Sequence, residues 1–413
     1  MLSCAYFLVS EGRALCRTEV WMKQHKSPYE SPLSSQRISE LLPQITPAMQ
    51  EEFFKQWVSL NFDDQYYCMD ITSVSCYSEF IEFVRYGYNR DGENLPQINL
   101  LMITGEKSHL PIYYRIIPGS IKDVSTLEES LEHMKEIGNR KLHLVMDKGF
   151  YSQANVNAMY DNHLRFMIGV PFTSSLARNS VTRHRGDEMI SHKHYCTVMG
   201  DELYADTELS SWKGHRCYIH TYYDSYRAES ENKKFNHILL MCYQELSDGK
   251  RIKCHEAEYK KYFHLKETPK RGLKVEYNEE AIREHRNNTS GWFVMITNDV
   301  KDPVKALEIY RRKDAVEKGF DDLKNDLDMK RLRIHSAAAM DGRIFIQYIA
   351  LILSTRIKVV MNMHNMFKNH DMQEVIDEMK SLRAVVIPGK KKPIYTTPTA
   401  FQSEIINIFG LEL

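Results

Sequence analysis

The spacing of hydrophobic positions changes from a helical period to a strand-like one near residue 60. Before that point apolar residues recur every three or four positions, with Phe53, Phe54 and Trp57 on one face of a predicted helix. These aromatic side chains are expected in the core. Beyond that point the apolar residues are β-branched or aromatic and form short runs, as they do in strands. We therefore predict a helical N-terminal segment, residues 1–60, followed by a sheet.

Short apolar runs predict the strands of this sheet. They cover residues 65–73, 97–104, 110–117, 141–146 and 164–170. A helix is predicted over 123–137, and Ser152 is placed to cap a second helix that reaches about Tyr160. Three strands followed by helix, strand, helix and strand indicate an α/β layer with a mixed sheet.

The pattern changes again over residues 171–288, where short strand-like pieces alternate with charged loops. The pieces are residues 203–205, 216–223 and 235–243, and they predict an inserted, β-rich subdomain. Part of this segment, residues 250–274, is rich in lysine with interleaved aromatic residues. That composition suits either a nucleic-acid contact or a solvated loop.

Regular periods return after this segment. A strand is predicted over 291–297, and a helix begins at Asp302–Pro303 and runs to about Asn325. A second long helix, residues 341–363, is apolar on most faces and is expected to be buried. Its most apolar run has about ten residues, against the roughly 20 needed to cross a bilayer, so we predict no membrane span.

Composition narrows the class of protein. The 413 residues are 43% apolar and 27% charged, which is ordinary for a globular protein of about two domains. Lys plus Arg and Asp plus Glu both number 55, so any nucleic-acid contact must come from local patches. The eight cysteines form no CxxC pair, which favours reduced thiols in the cytoplasm. Zinc is not expected, because neither Cys254-His255 nor His192-Lys193-His194 has zinc-finger spacing.

Three acidic residues stand out by their positions. Asp70 lies inside an apolar strand, Asp147 follows one directly, and Glu317 lies in the helix that begins near Pro303. Taken singly, each fits a turn, a cap or a solvated surface charge. Burying an unpaired carboxylate is costly, however, and a hard cation such as Mg²⁺ offsets that cost. Two such ions can hold the attacking and leaving oxygens of a phosphodiester in line.

The predicted helix around Glu317 carries a polar stripe. At about 100° per residue, four side chains fall within a sector about 60° wide. They are Tyr310, Lys313, Glu317 and Lys324, and the neighbouring apolar sector holds Val316, Phe320, Leu323 and Leu327. Two cations beside a carboxylate suit a DNA phosphate. Ion pairing of Lys313 with Glu317 on a solvated face is the alternative interpretation.

These segments resemble the DDE transposases of bacterial insertion sequences, in the branch with a Tyr-x2-Arg-x3-Glu-x6-Lys signature. The corresponding residues here are Tyr310, Lys313, Glu317 and Lys324. The motif around the first aspartate reads Asp70-Ile71-Thr72-Ser73, and the motif around the second reads Asp147-Lys148-Gly149-Phe150. The resemblance extends over roughly residues 60–410, with the three motifs in order and at compatible spacing.

The resemblance implies an α/β fold with a ribonuclease-H-like core, a mixed sheet flanked by helices, interrupted by a β-rich insertion subdomain. The implied organisation is a helical N-terminal segment that is a shortened DNA-recognition region (1–60), the first part of the catalytic core (61–170), the insertion (171–288), the second part of the core with the Glu helix (289–370) and a C-terminal segment (371–413).

The resemblance also implies the chemistry. Asp70, Asp147 and Glu317 would be the catalytic residues and would hold two Mg²⁺ or Mn²⁺ ions. The reaction would be DNA strand cleavage and strand transfer at insertion-sequence ends, which is cut-and-paste transposition. The implied partners are double-stranded DNA, at the element ends and the target, and a second copy of the chain. No membrane and no small-molecule cofactor are expected, and the expected location is the bacterial cytoplasm, on the nucleoid.

Candidate DNA contacts follow from the same motifs. Tyr310, Lys313 and Lys324 match the signature residues that contact phosphates in the family, and Lys148 follows the second aspartate directly. Trp212 lies in a polar stretch and would stack on an extruded base.

Two departures from the family pattern matter. Lys313 replaces the signature arginine, which keeps the charge but loses the planar bidentate fork. Only about 60 residues precede the core, and they show no helix-turn-helix pattern. The alternative function is therefore a catalytically idle, N-terminally truncated DNA-binding fragment that inhibits transposition. A stand-alone metal-dependent nuclease with the same core is a further alternative.

Overall fold

The computed structural model describes residues 1–61, 64–78, 80–121, 125–136, 142–186, 188–268, 272–385 and 393–412. Its strands are β1 (Tyr67–Cys76), β2 (Gln97–Gly105), β3 (Pro111–Pro118), β4 (His143–Met146), β5 (Arg165–Gly169), β6 (Tyr195–Val198), β7 (Asp201–Trp212), β8 (His215–Tyr223), β9 (Phe263–Thr268), β10 (Gly272–Tyr277), β11 (Trp292–Thr297), β12 (Arg331–Leu332), β13 (Ala384–Val385) and β14 (Ile394–Tyr395). Its helices are α1 (Leu2–Glu11), α2 (Thr18–Met22), α3 (Ser35–Leu41), α4 (Pro47–Asn61), α5 (Leu127–Glu136), α6 (Gln153–Asp161), α7 (Ser175–His184), α8 (Ser225–Ser247), α9 (Glu256–Tyr262), α10 (Glu279–Thr289), α11 (Pro303–Arg311), α12 (Asp314–Asp321), α13 (Ala337–Met363), α14 (Met372–Lys380) and α15 (Ala400–Phe409).

The chain divides into two compact units. Unit 1 consists of Met1–Leu142 and Arg312–Leu413, and unit 2 is His143–Arg311. Unit 1 is therefore discontinuous along the chain, and all of unit 2 lies between its two segments. Unit 2 includes the predicted insertion together with β4, β5 and β11 on either side of it.

Unit 1 contains a mixed sheet in which β1 pairs with both β2 and β12. β2 runs antiparallel to β1 from Tyr67 opposite Gly105 to Ser75 opposite Gln97, and β3 runs antiparallel to β2. β12 runs parallel to the end of β1, with Cys76 opposite Leu332. Every residue of β1 is buried except Asp70, which is partly exposed. Strands buried on both faces read as continuous apolar runs, which is why the sequence predicted them correctly.

Helices α4 and α13 supply much of the core of unit 1. Phe54 of α4 is buried and packs its ring 5.5 Å from the ring of Tyr348 in α13. The Tyr348 hydroxyl donates to the carbonyl of Pro111 at the start of β3. The prediction that the aromatic residues of α4 lie in the core is confirmed for Phe54, whereas Phe53 and Trp57 are only partly buried. By length and composition alone α13 could cross a membrane, but 56% of its apolar window is buried within the protein, as in a core helix.

Unit 2 contains its own run of paired strands. β4 and β5 are parallel, whereas β11 is antiparallel to both β5 and β8. β7 pairs antiparallel with β8, and β6 pairs antiparallel with β7. This sheet is also mixed. Helix α6 follows β4 and is capped by Ser152, whose side chain accepts a hydrogen bond from the Asn155 amide, as the sequence predicts.

The predicted β-rich insertion requires a correction. Residues 235–243, which were expected to form a strand, lie inside the 23-residue helix α8. The reason is the spacing of the buried residues on one face of α8, which are Phe235, Leu239, Cys242 and Leu246. They pack against Tyr259, Tyr262, Phe263 and Ile282 in a separate apolar cluster. Segment 171–288 is therefore mixed α and β, and its strands β6 to β8 continue the sheet of β5 and β11.

The predicted helix from Pro303 to Asn325 is also interrupted. α11 ends at Arg311, a two-residue turn follows, α12 covers Asp314–Asp321, and a π-helical turn covers Asp322–Asp326. The four predicted apolar positions of this region are all buried, so its core-facing side was predicted correctly. The polar stripe is not one continuous helix face, because the turn at residues 312–313 separates Tyr310 from Glu317.

The ends of the predicted helix 123–137 and the first residue of the predicted strand 141–146 lie outside the described residues.

Candidate active site

Asp70 and Glu317 converge on one buried lysine in unit 1. The Lys313 ammonium lies 3.8 Å from Asp70 Oδ2 and 2.5 Å from Glu317 Oε1. The lysine side chain is 7% exposed, that of Asp70 is 18% exposed and that of Glu317 is 56% exposed. The backbone amide of Ile71 donates to the other Asp70 oxygen at 2.8 Å. The single ammonium therefore attracts both carboxylates, which would otherwise repel each other.

A neighbouring ion pair fixes the turn that carries Lys313. Arg312 pairs with Glu106, which follows β2 directly and is 1% exposed. Two backbone hydrogen bonds close this turn: the Ala315 amide donates to the Arg312 carbonyl, and the Val316 amide donates to the Lys313 carbonyl. A buried carboxylate that is paired with a guanidinium holds its position firmly. α12 therefore begins at a position set by the end of β2, and Glu317 lies in its first turn.

Lys324 is held by a different partner. It lies in the π-helical turn after α12, and its ammonium is 2.7 Å from Asp91 Oδ2 and 2.8 Å from Asp91 Oδ1. Its side chain is only 9% exposed. Within unit 1, the structure thus brings Asp70, Lys313 and Glu317 together, whereas Lys324 is paired with an aspartate outside this group.

Asp147 is oriented by a tyrosine in unit 2. It follows β4 directly, and its Oδ1 accepts a hydrogen bond of 2.9 Å from the Tyr310 hydroxyl. The Tyr310 ring packs against Phe293 of β11 with ring centroids 5.0 Å apart. Gly169 in β5 makes room for this arrangement, since a Cβ there would lie 2.9 Å from the Tyr310 hydroxyl oxygen. A hydrogen bond from a neutral phenol orients the carboxylate without neutralising it.

The two remaining predicted DNA contacts also lie in unit 2. Lys148 is exposed in the short helical turn after Asp147. Trp212 is half-buried at the end of β7, beside the hairpin turn in which Lys213 has a φ of 48°. Its indole nitrogen donates to Asn157 of α6 at 2.9 Å. Trp212 is therefore anchored by one edge, whereas Trp292 of β11 is a buried core residue.

Comparison with known proteins assigns a family to this arrangement. Residues 61–353 match a family model described as a transposase DDE domain, which is most of the chain. The chain belongs to the DDE transposase family. Enzymes of this family are polynucleotidyl transferases or nucleases, so the chain is assigned to that general class.

Other comparisons add little to this assignment of a DDE transposase. A cryo-EM structure of a piggyBac transposase synaptic complex with hairpin DNA matches over 91% of this chain and 68% of that chain. The sequence identity is 10% and the TM-score is 0.44, too low a likeness to support conclusions about the site. No curated protein matches the sequence.

The donor set of this DDE transposase suits a hard divalent cation. Asp70 Oδ2 and Glu317 Oε1 already approach a single positive charge, and oxygen ligands of this kind are preferred by Mg²⁺. In unit 1 this positive charge is the Lys313 ammonium. A metal held by these oxygens would compete with that ammonium for the same negative charge.

Sequence reasoning missed the partners that hold the predicted residues. Glu106, Arg312, Asp91 and Asn157 fix Lys313, Lys324 and Trp212 in place, yet none belongs to a recognisable motif. A usable signal existed only for Glu106, an acidic residue at the end of an apolar run. The other pairings join residues that are far apart along the chain, so no local pattern records them.

Proposed function

We propose that this chain is a transposase that catalyses metal-dependent DNA strand cleavage and strand transfer at the ends of an insertion sequence, by cut-and-paste transposition. The proposal places it in the bacterial insertion-sequence branch with the signature Tyr310, Lys313, Glu317 and Lys324. The observation that carries it is the convergence of Asp70 and Glu317 on one cation within unit 1, in a chain of the DDE transposase family.

In this proposal Asp70, Asp147 and Glu317 hold two Mg²⁺ or Mn²⁺ ions. Bound divalent ions would supply activation of the attacking oxygen and stabilisation of the leaving one. Convergence of Asp147 with the other two carboxylates is part of the proposal. Hard oxygen donors at all three positions are consistent with it.

The protein groups have separate tasks in the proposed reaction. Lys313 keeps Asp70 and Glu317 together when no metal is bound, and Tyr310 aims Asp147 through its hydroxyl. Lys148, Lys324 and Trp212 complete the proposed DNA surface. A phosphate that binds Lys324 has to compete with Asp91, which lowers the net gain of that contact.

Double-stranded DNA, at the element ends and at the target, is the proposed partner, and the protein would act on it as a homodimer. The proposed location is the bacterial cytoplasm, on the nucleoid. Sedimentation of the purified chain with and without element-end DNA tests the assembly. A single protomer on each DNA end at all protein concentrations would exclude the dimer.

A cleavage assay tests the catalytic part. DNA that flanks the gene on both sides is incubated with the purified chain in Mg²⁺, in Mn²⁺ or in EDTA. Nicking at defined ends that requires metal and is lost in Asp70→Asn, Asp147→Asn and Glu317→Gln supports the proposal. Asp64→Asn is the control, since Asp64 accepts a hydrogen bond from the Lys107 amide in a turn and asparagine keeps an acceptor oxygen there.

Two other results would replace the proposal. Tight binding to the element ends without nicking in any metal would favour the inhibitory fragment. Metal-dependent nicking with no preference for the element ends would favour a stand-alone nuclease of the same family.

A further inference from the structure

A second cluster of metal-ligating side chains lies in unit 2, on helices that the proposed reaction does not use. Cys242 and Glu245 are on α8, and His255 lies in the turn just before α9. Their ligand atoms all lie within 4.8 Å of one another. Cys242 is fully buried, and the side chains of Glu245 and His255 are 16% and 23% exposed. The thiol thus faces the interior, and the other two groups reach toward the surface.

The helical spacing explains why these groups meet. Cys242 and Glu245 are three residues apart, which places them on the same face of α8. His255 and Glu258 have the same spacing at the start of α9. Two i,i+3 pairs on adjoining helices are a known way to build a metal site in helical proteins. The apolar cluster around Leu246, Tyr259 and Tyr262 holds the two helices together beneath these residues.

Glu258 provides an independent observation. Its Oε2 is buried and finds no hydrogen-bond partner within the part of the chain that the structure describes. A buried carboxylate oxygen without a partner is costly unless a cation or another donor reaches it. Glu258 lies three residues after His255, so its unpartnered oxygen makes it the candidate fourth donor beside the three clustered groups.

We propose that Cys242, Glu245, His255 and Glu258 form a structural zinc site in unit 2. The donors are sulfur, nitrogen and carboxylate oxygen, a mixture that zinc accepts and that Mg²⁺ and Ca²⁺ do not favour. Tetrahedral zinc requires ligand atoms roughly 3.3–3.8 Å apart. The ligand atoms of Cys242, Glu245 and His255, which lie within 4.8 Å of one another, therefore need a contraction of only about 1 Å, and Glu258 would turn toward the ion. Zinc-finger spacing is absent because the ligands come from helix faces.

Hydrogen bonds already order part of this cluster. His255 Nδ1 lies 2.9 Å from Glu245 Oε2, and the Tyr259 hydroxyl donates to the same oxygen. These contacts keep the imidazole and the carboxylate in place before an ion arrives, and Tyr259 can continue to hold Glu245 afterwards, as outer partners of metal ligands do. Zinc would cross-link α8 to the start of α9, close to the connection between the two helices.

Metal content is the first test. The full-length chain is saturated with Zn²⁺, desalted and measured by mass spectrometry, alongside Cys242→Ser and His255→Gln. Cys217→Ser is the matched control, because Cys217 is a buried thiol of β8 in the same unit. About one retained zinc per chain in the wild type and in Cys217→Ser, lost in the other two variants, is the expected result. No retained zinc in the wild type, or equal retention in all variants, overturns the proposal.

Cobalt identifies the ligand directly. Tetrahedral Co²⁺ with a thiolate ligand gives visible d–d bands and a thiolate-to-cobalt charge-transfer band, and the proposed Mg²⁺ site contains no thiol. Both signals are expected in the wild type and in Cys217→Ser, and the charge-transfer band is expected to vanish in Cys242→Ser. If Cys242→Ser fails to fold, His255→Gln decides, since this partly exposed position tolerates a polar replacement and must still lose the tetrahedral bands. A charge-transfer band that disappears only in Cys217→Ser contradicts the assignment.

Discussion

The carboxylates of the proposed active site are held in different ways in the two units. In unit 1, Asp70 and Glu317 share one buried ammonium, which offsets part of their negative charge. In unit 2, Asp147 accepts a hydrogen bond from a neutral phenol, which fixes the direction of the carboxyl group. The first arrangement places a cation beside the carboxylates, whereas the phenol in the second supplies only a neutral donor. Substitutions in the two clusters should therefore have different consequences.

The largest expected effect is on catalysis, and here the two clusters should behave alike. Asp70→Asn and Asp147→Asn each remove one proposed metal ligand and keep the side-chain shape. Metal ions contribute several kcal/mol of transition-state stabilisation, so we expect nicking to fall by about 10³-fold or more in each variant. Single-turnover cleavage rates measure this, with Asp64→Asn as the control. A variant of Asp147 that cuts at the wild-type rate would remove unit 2 from the active site.

Next in size is the effect of removing the shared cation. Lys313→Met leaves Asp70 and Glu317 facing each other without a positive charge. We expect a loss of about 2–3 kcal/mol of unfolding free energy, less than for a fully buried pair because Glu317 is more than half exposed. Mg²⁺ should restore more stability to this variant than to the wild type, because the ion takes the place of the ammonium.

Thermal melting with and without Mg²⁺ measures this difference. Lys318→Met is the matched control, since Lys318 is an exposed lysine of α12, the helix that begins directly after Lys313. Equal Mg²⁺-dependent shifts in Lys313→Met and in the wild type would contradict the shared cation position.

Acid should act first on unit 2, through a buried histidine. His220 of β8 is fully buried, its Nε2 donates to the Val300 carbonyl, and burial lowers its pKa to about 4. Because the unfolded chain binds this proton near pH 6.5 and the folded chain does not, stability is lost as the pH falls from about 6.5 toward 4. The expected loss at pH 5 is about 2 kcal/mol.

Hydrogen exchange resolved along the chain and corrected for the intrinsic rates measures this effect. Peptides from β8 and β11 should lose protection between pH 7 and pH 5 before peptides from β1 and β2 do. His220→Gln should abolish this pH dependence, and His237→Gln, at an exposed position of the same unit, should preserve it. Equal acid sensitivity of the two units would contradict the assignment to His220.

The smallest expected effect comes from removing the Tyr310 hydroxyl. Tyr310→Phe removes one hydrogen bond to Asp147, which is partly exposed and can bind water instead, so we expect a stability loss of about 1 kcal/mol. Cleavage should fall by about tenfold, because the carboxylate is less well aimed. Tyr222→Phe is the matched control, since its hydroxyl donates to the Pro303 carbonyl of the same helix. Both variants should lose similar stability, and only Tyr310→Phe should slow cleavage.

Much of the fold could be predicted because buried strands and capped helices leave local signals. β1 to β5 appear as apolar runs, and the Ser152 cap is confirmed by its hydrogen bond. The prediction for residues 235–243 was wrong because their apolar and aromatic content is typical of a strand. The residues that pack in the core, from Phe235 to Leu246, are instead four, three and four positions apart, which is a helical spacing. Local composition and long-range packing disagreed there, and packing decided the structure.

The polar stripe shows a different limit of prediction. Helical geometry placed Lys313 beside Glu317, and the structure confirms their contact. The same geometry assumed one straight helix and so missed the turn at residues 312–313. That turn depends on the pairing of Arg312 with Glu106, which lies more than two hundred positions earlier. Side-chain pairing across such a separation leaves no periodic signal in the sequence.

The interrupted course of unit 1 has a consequence for biosynthesis. β1 leaves the ribosome early, yet the lysine that neutralises Asp70 follows only after all of His143–Arg311 has been made. At about 5–20 residues per second, that segment takes roughly ten seconds or more to translate. During this interval the nascent strands β1 to β3 lack α12 and α13, so the apolar faces that these helices cover stay exposed until the residues after Arg311 have been made. A stalled ribosome within His143–Arg311 would therefore release a first segment that carries Asp70 but not its cation.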